Sequence, residues 1–187
     1  DIKYNGEKTK AIIGNNVTIR EFVTINRGTS ALGETRVGDN VLLMACTHVA
    51  HDCIVGDNTI MANLATLGGH VEIGEWVNIG GGVVVHQFVK IGEQSLIGGG
   101  FCAKQDIPPY IIVAGHPLRF IGINKIGLER RGYSSEARLL IKKAYRGFEE
   151  KEVVCIKNIG NINLLELYHG PTLAFKDIAM QVIGNLY

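Results

Sequence analysis

The sequence predicts an all-β solenoid, a parallel β-helix of hexapeptide repeats, followed by a partial α-helical C-terminal region. Three observations predict it. An aliphatic residue recurs every six positions at Ile13, Ile19, Ile25, Val37, Leu43, Val49, Val55, Met61, Leu67, Ile73, Ile79, Val85, Ile91 and Ile97, and the register never slips. The fifth place of each unit is small or β-branched, as in Val41, Thr47, Cys53, Thr59, Ala65 and Val71. A fixed short period of this kind marks a β-helical repeat. Finally, Val37-Gly38-Asp39-Asn40, Val55-Gly56-Asp57-Asn58, Ile73-Gly74-Glu75-Trp76 and Ile91-Gly92-Glu93-Gln94 return every 18 residues, the length of one three-sided coil. Each coil then buries its neighbour's apolar face, with coils about 4.8 Å apart. The glycine after the aliphatic residue reads as a corner residue, because it accepts backbone angles that others resist.

Taken in order, the chain divides into a β-helix over 1–110, a helical region over 111–148 and a last segment over 149–187. The opening Asp1-Ile2-Lys3-Tyr4-Asn5-Gly6-Glu7 enters the solenoid without a cap, so it reads as a fragment whose earlier coils lie upstream. Between Ile25 and Val37 the six-residue count survives while the pattern fails, which predicts an external loop at Arg27-Gly28-Thr29-Ser30-Ala31-Leu32-Gly33. Pro108-Pro109 cannot donate to a ladder and is expected to end it. Helix is expected beyond Gly115-His116-Pro117, broken at Gly132. A second helix starts after Ser134 as N-cap. Its apolar face is Ala137, Leu140, Ile141, Ala144, Tyr145 and Phe148, and Lys142, Lys143 and Arg146 face away.

Composition narrows the function classes. The 187 residues carry 19 Lys and Arg against 18 acidic residues, which argues against nucleic-acid or anionic-membrane partners. There is no apolar run of transmembrane length and no signal peptide, so the chain reads as cytoplasmic. Cys46, Cys53, Cys102 and Cys155 lack CxxC spacing and read as reduced, small apolar residues.

The 18-residue period turns sequence into geometry. His51, Gly69 and Gln87 differ by 18 and stack, as do Asp52, His70 and Phe88, with His86 beside Gln87. One edge thus collects His51, Asp52, His70, His86 and Gln87, with His48 close by. A histidine there can act as general base at neutral pH, and an adjacent aspartate can fix its tautomer. The Gly80-Gly81-Gly82 run lets a backbone amide approach a ligand as an oxyanion donor. No serine or cysteine stands out as a nucleophile, which favours direct transfer to a substrate hydroxyl. Two other readings remain. A polar corner can tolerate a histidine with no function, and three imidazoles can hold zinc, as in the γ-class carbonic anhydrases that use this fold.

A resemblance sharpens the choice. Asp1-Ile2-Lys3-Tyr4, Thr24-Ile25-Asn26-Arg27-Gly28-Thr29, His48-Val49-Ala50-His51-Asp52-Cys53, Gly69-His70-Val71, Val85-His86-Gln87-Phe88, Gln105-Asp106-Ile107-Pro108-Pro109-Tyr110 and Gly127-Leu128-Glu129-Arg130-Arg131-Gly132 resemble the UDP-N-acetylglucosamine acyltransferases of lipid A biosynthesis. The resemblance implies a cytoplasmic homotrimer of left-handed parallel β-helices. It also implies transfer of an (R)-3-hydroxyacyl group from acyl carrier protein to the 3-hydroxyl of UDP-N-acetylglucosamine, without a cofactor. Carried over residue by residue, it makes His51 the base, Asp52 its partner and the Gly81 amide the oxyanion donor. Asp1, Lys3, His48, His70, His86, Gln87, Asn124, Arg130 and Arg131 become substrate-binding residues. The guanidinium fork of an Arg pair suits a diphosphate, although an exposed Arg-Arg is more often a solvated face. Gly99 becomes the acyl-length residue, its missing side chain favouring about 14 carbons over 10 on family analogy.

Departures and additions complete the reading. Ile126 stands where some members have a nucleotide-contacting Glu, and Asn26 where others have His. An inactive scaffold is the bland alternative for so truncated a chain. From Leu165 to Asp177, the run Leu-Glu-Leu-Tyr-His-Gly-Pro-Thr-Leu-Ala-Phe-Lys-Asp resembles threonine synthase, where the matching lysine forms the pyridoxal phosphate Schiff base. No Gly-rich phosphate loop accompanies Lys176, so it is expected to bind no pyridoxal phosphate, and 172–186 is expected to form a short amphipathic helix. Borohydride reduction with added cofactor tests this, and stoichiometric labelling at Lys176 would refute it.

Overall fold

The structure, a computed structural model, describes residues 5–145 and the backbone of Cys155–Ile159 and Ile162–Glu166. The chain separates into two compact units, Asp1–Asn124 and Lys125–Tyr187. The first is the expected β-helix, wound from three sheets. Sheet A holds β1 (Lys10–Ile13), β4 (Glu34–Val37), β7 (Ile54–Val55), β10 (Glu72–Ile73) and β13 (Lys90–Ile91). Sheet B holds β2 (Thr18–Ile19), β5 (Leu42–Leu43), β8 (Ile60–Met61), β11 (Asn78–Ile79), β14 (Leu96–Ile97), β16 (Ile111–Ala114) and β17 (Arg119–Ile123). Sheet C holds β3 (Thr24–Ile25), β6 (His48–Val49), β9 (Thr66–Leu67), β12 (Val84–Val85) and β15 (Cys102–Ala103). The chain visits A, B and C in turn, so each coil pairs in parallel with the next.

Register follows the sequence period. Ile54 pairs with Glu72 and Glu72 with Lys90, while Thr66 pairs with His48 and Val84, all 18 apart. The first coil differs: Lys10 pairs with Glu34, Thr18 with Leu42 and Thr24 with His48, a spacing of 24. One hexad has been pushed out as the loop anticipated after Ile25. Inward residues form the core: Leu43, Met61, Leu67, Val49, Val55 and Ile97 are at most 1% exposed. Each such burial is worth about 1.5–3 kcal/mol, and in the first coil Ile13 and Ile19 remain partly exposed.

The corner glycines have a different reason than expected. The left-handed backbone falls two places later, on Asn16, Asn40, Asp52, Asn58, Leu64, His70, Trp76, Phe88 and Gln94 with φ near 60°. Gly38, Gly56 and Gly74 are needed for close stacking: a Cβ on Gly56 would lie 2.5 Å from the carbonyl carbon of Gly74. Coil spacing, not torsion, demands glycine there.

The ladder also outlasts the prolines. Ile107 still bridges Ile91, and β16 pairs in parallel with β14. Pro108 and Pro109 sit at a corner, where no ladder donor is needed, so the β region runs past 110. Beyond Pro117 the chain turns back as β17, antiparallel to β16 with a bulge at Ile112/Val113, where helix was expected. Alternating exposure on a pre-existing sheet edge overrides the local helical reading.

In the second unit, α1 (Lys125–Arg130) ends at Gly132 with φ 82°. The second helix, α2 (Ser135–Ala144), starts where Ser134 was read as its N-cap, and the Ser134 hydroxyl accepts the Ala137 amide at 3.2 Å. Ile141, Ala144 and Tyr145 are buried as expected, whereas Leu140 is half exposed. Strands β18 (Cys155–Ile159) and β19 (Ile162–Glu166) pair antiparallel. Among the described residues, no helix is long and apolar enough to cross a membrane.

Candidate active site

Three edges join the three sheets, and the sequence decides what each carries. Where sheet C turns into sheet A, successive coils place His51-Asp52, Gly69-His70 and Gln87-Phe88, the stack read from the 18-residue period. The local reason is the same at each corner. The second residue takes the left-handed conformation, which turns the chain sharply between two-residue strands. Asp52 tolerates that conformation better than most residues, and its backbone N–H donates to the Thr35 hydroxyl at 2.8 Å.

The Asp52 side chain is fully buried, while His51 and His70 are 35% and 22% exposed. His51 Nδ1 lies 2.8 Å from Asp52 Oδ2, and His70 Nε2 lies 3.7 Å from the same oxygen. The two imidazoles meet edge to face at 5.1 Å, and Phe88 stacks on His70 at 4.6 Å and 9°. Burial pushes the Asp52 carboxyl up. The Thr29 hydroxyl, His51, the Thr29 amide and the nearby His70 together outweigh burial and hold it below its ordinary value. An ionised carboxylate only accepts, so His51 must donate from Nδ1, leaving the Nε2 lone pair free.

Two neighbours make room for this couple. Sequence reading put Gly69 in the stack without a reason for its being glycine. A Cβ there would lie 2.6 Å from His51 Cε1 and 2.8 Å from Nε2. Thr29, which sequence reading missed as a site residue, donates its amide to Asp52 Oδ1 at 2.8 Å and its hydroxyl to Oδ2 at 2.6 Å. It sits on the extruded hexad, which keeps the six-residue count but belongs to no coil, so no stacking argument could reach it.

The other predicted residues divide. His48 lies on the outer face of sheet C, its Nδ1 2.7 Å from the Thr24 hydroxyl, with burial holding the imidazole below its ordinary value. His86 and Gln87 lie further along the same edge, and His86 Nδ1 donates to the Gln87 carbonyl at 3.1 Å. Gly81 and Gly99 lie elsewhere. They stack on one another at the edge from sheet B to sheet C, where the Gly100 amide donates to the Gly81 carbonyl. Within one chain, Gly81 therefore does not share an edge with His51. Asn124 is buried, and its side-chain amide donates to the Gln94 carbonyl at 2.7 Å, at the edge from A to B. Arg130 closes α1 and Arg131 follows it, both in the second unit. Ile126, the departure from the family pattern, is well exposed. Asp1, Lys3 and Lys176 lie outside the described residues.

The arrangement suits proton transfer. Cys53, next to Asp52, is no nucleophile: burial pushes its thiol up to about 11, and it donates to the Gly68 carbonyl at 3.1 Å. Cys46, Cys53 and Cys102 are free thiols, Cys46 exposed at a corner, Cys53 buried and Cys102 half-buried. His51, Asp52 and His70 bring three possible metal donors within 4.8 Å of one another. Yet both Asp52 oxygens already accept hydrogen bonds and His51 has spent Nδ1 on one of them, which leaves a poor ligand set beside a good acid–base pair.

The repeat matches the family model of the bacterial transferase hexapeptide (six repeats) over residues 34–69. A second family model, UDP N-acetylglucosamine O-acyltransferase domain 2, matches 106–166. The chain is 47% identical over 161 residues to the acyl-[acyl-carrier-protein]–UDP-N-acetylglucosamine O-acyltransferase of Burkholderia lata, covering 82% of this chain and 62% of that one. It is 53% identical to the Nautilia profundicola enzyme of the same name over 78% of this chain and 57% of that one. Among solved structures, LpxA from Acinetobacter baumannii superposes with TM-score 0.77 at 42% identity, over 81% and 59% of the two chains. The Arabidopsis UDP-N-acetylglucosamine acyltransferase gives TM-score 0.76 at 40% identity, over 82% and 54%.

Family models, curated relatives and solved structures all liken the chain to the UDP-N-acetylglucosamine O-acyltransferases, whose structures are left-handed β-helices. The chain spans about three-fifths of the length of the curated relatives it matches. The domain match reaches Glu166, inside the segment that sequence reading set apart as threonine-synthase-like.

Proposed function

We propose that this chain carries the catalytic edge of an O-acyltransferase that moves an (R)-3-hydroxyacyl group from acyl carrier protein to the 3-hydroxyl of UDP-N-acetylglucosamine. The observation that carries the reading is the His51–Asp52 couple: an ionised, buried carboxylate accepts from Nδ1 of the imidazole and leaves the Nε2 lone pair to take a proton. Nε2 takes the hydroxyl proton as the oxygen attacks the thioester carbonyl. The tetrahedral intermediate then collapses, and the leaving thiolate recovers the proton from His51. Asp52 steadies the imidazolium between the two steps.

The finer assignments rest on the family likeness. His48, His70, His86, Gln87, Asn124, Arg130, Arg131, Asp1 and Lys3 bind sugar, acyl or diphosphate, and the Gly81 amide is the oxyanion donor. Gly81 lies one sheet face away from His51, so a second copy of the chain has to bring the two together, which accords with a homotrimer. The likeness also favours the cytoplasm as the place of action and Gly99 as the acyl-length residue. Replacing Gly99 with Met should shift preference to shorter donors, and an unchanged donor profile would place the length limit elsewhere.

His51→Ala tests the central role. Loss of a general base costs about 10²–10⁴-fold in rate, read by radiolabelled acyl transfer with circular dichroism to confirm folding. Activity within threefold of the parent would remove His51 from the mechanism.

A further inference from the structure

We propose that Thr29, carried on the extruded hexad, is a positioning residue that orients Asp52 and thereby sets which nitrogen of His51 carries the proton. The inference rests on the acid–base reading of His51 and Asp52. Its ground is a fork of two donors from one residue onto one carboxylate. The Thr29 amide reaches Oδ1 at 2.8 Å and its hydroxyl reaches Oδ2 at 2.6 Å. A two-point hold of this kind fixes the plane of the carboxylate as well as its place. Oδ2 then points at His51 Nδ1, 2.8 Å away. With the fork removed, the carboxylate is free to turn about its terminal torsion, which is broad and soft.

The loop is built to hold that fork still. Its mouth is pinned on both sides by Lys10, whose amide donates to the Gly33 carbonyl and whose carbonyl accepts the Gly28 amide, both at 2.9 Å. The Gly33 amide closes the loop on the Thr29 carbonyl at 2.7 Å. Gly28 admits no side chain, since a Cβ would lie 2.3 Å from the Glu34 nitrogen. The Ala31 amide donates to the Thr29 hydroxyl at 3.2 Å. That bond occupies a lone pair of the hydroxyl and directs its single proton to Asp52. The six extra residues of the first coil therefore end on the catalytic carboxylate. The groups facing Asp52 are Thr29, Thr35, His51 and His70.

The test uses the 187-residue chain, with two variants of different chemistry. Thr29→Val keeps the branched shape and the backbone donor but loses the hydroxyl; Thr29→Ser keeps the hydroxyl. Nitrogen NMR of the His51 ring reads the tautomer directly, with no need for turnover. The parent and Thr29→Ser are expected to show the Nδ1–H form, and Thr29→Val a mixture of both forms. In acyl transfer, Thr29→Val should lower kcat about five- to tenfold with KM for the sugar nucleotide within twofold, and Thr29→Ser should restore it. Thr29→Ala repeats both readouts if Val disturbs the loop. An unchanged tautomer and kcat in Thr29→Val, or an equal loss in Thr29→Ser, would overturn the inference. Asp52→Asn separates the two levels. If it transfers acyl groups as the parent does, the acid–base reading fails; if it is inactive while Thr29→Val is parental, only the role of Thr29 fails.

Discussion

Two edges of the same solenoid carry aspartates, and they use them differently. At the edge from sheet A to sheet B, Asp39 accepts the Asn15 amide at 2.6 Å and Asp57 accepts the Asp39 amide at 2.8 Å. These carboxylates are half-exposed and cap turn amides of the preceding coil, a repeating structural duty. At the edge from C to A, Asp52 is fully buried, sits in the left-handed position and faces two imidazoles. A carboxylate one place earlier in the hexad meets a backbone amide. One place later, Asp52 meets the Thr29 amide and hydroxyl and two imidazoles. Full burial and two facing imidazoles, rather than residue type, set Asp52 apart from Asp39 and Asp57.

The largest effect that would sharpen this contrast comes from a glycine. Gly69→Ala adds a methyl group into the space of the His51 ring, at 2.6 Å from Cε1. Gly69 lacks the positive φ that would strain an alanine, so the fold should survive while the imidazole is displaced. The expected result is a fall of about tenfold or more in kcat, on the scale of a misplaced general base, with thermal midpoint nearly unchanged. Parental kcat would show that His51 has more room than the stack allows.

A smaller effect separates the two edges by pH. The folded-state pKa of Asp52 is depressed below the ordinary 3.8. A depressed carboxylate contributes stability that is fully present above its unfolded value and is lost as pH falls through the folded value. The stability gap between parent and Asp52→Asn should therefore stay constant from about pH 8 to pH 5 and close only below about 3.8. Urea midpoints measured across that range check it, and a gap that closes well above 3.8 would show that the fold does not hold Asp52 ionised.

Much of this arrangement was legible in the chain. The aliphatic hexads and the 18-residue return placed His51 over Gly69 and Asp52 beside His70, because each coil repeats the last. The same arithmetic separates Gly81 from His51, which differ by 30, so its different edge was within reach of the period. Thr29 was not, because the extruded hexad leaves the repeat and its partner is set by loop closure. The antiparallel return at Arg119–Ile123 was also hidden, since an available sheet edge decided it and local propensity did not. The corner glycines were placed correctly but for the wrong reason, as coil-to-coil distance cannot be read from one hexad.

The most direct measurement compares Asp52→Asn with Asp57→Asn in the same acyl-transfer assay. At Asp57 an amide oxygen can still accept the Asp39 N–H, so kcat should stay within twofold and the stability cost should be about 0.5–1.5 kcal/mol. At Asp52 either orientation of the amide sets an NH₂ against existing donors, the Thr29 fork or His51 Nδ1. The tautomer is lost, and kcat should drop on the order of 10²-fold. Equal losses in the two variants, or a parental rate in Asp52→Asn, would contradict the assignment of chemistry to the edge from C to A.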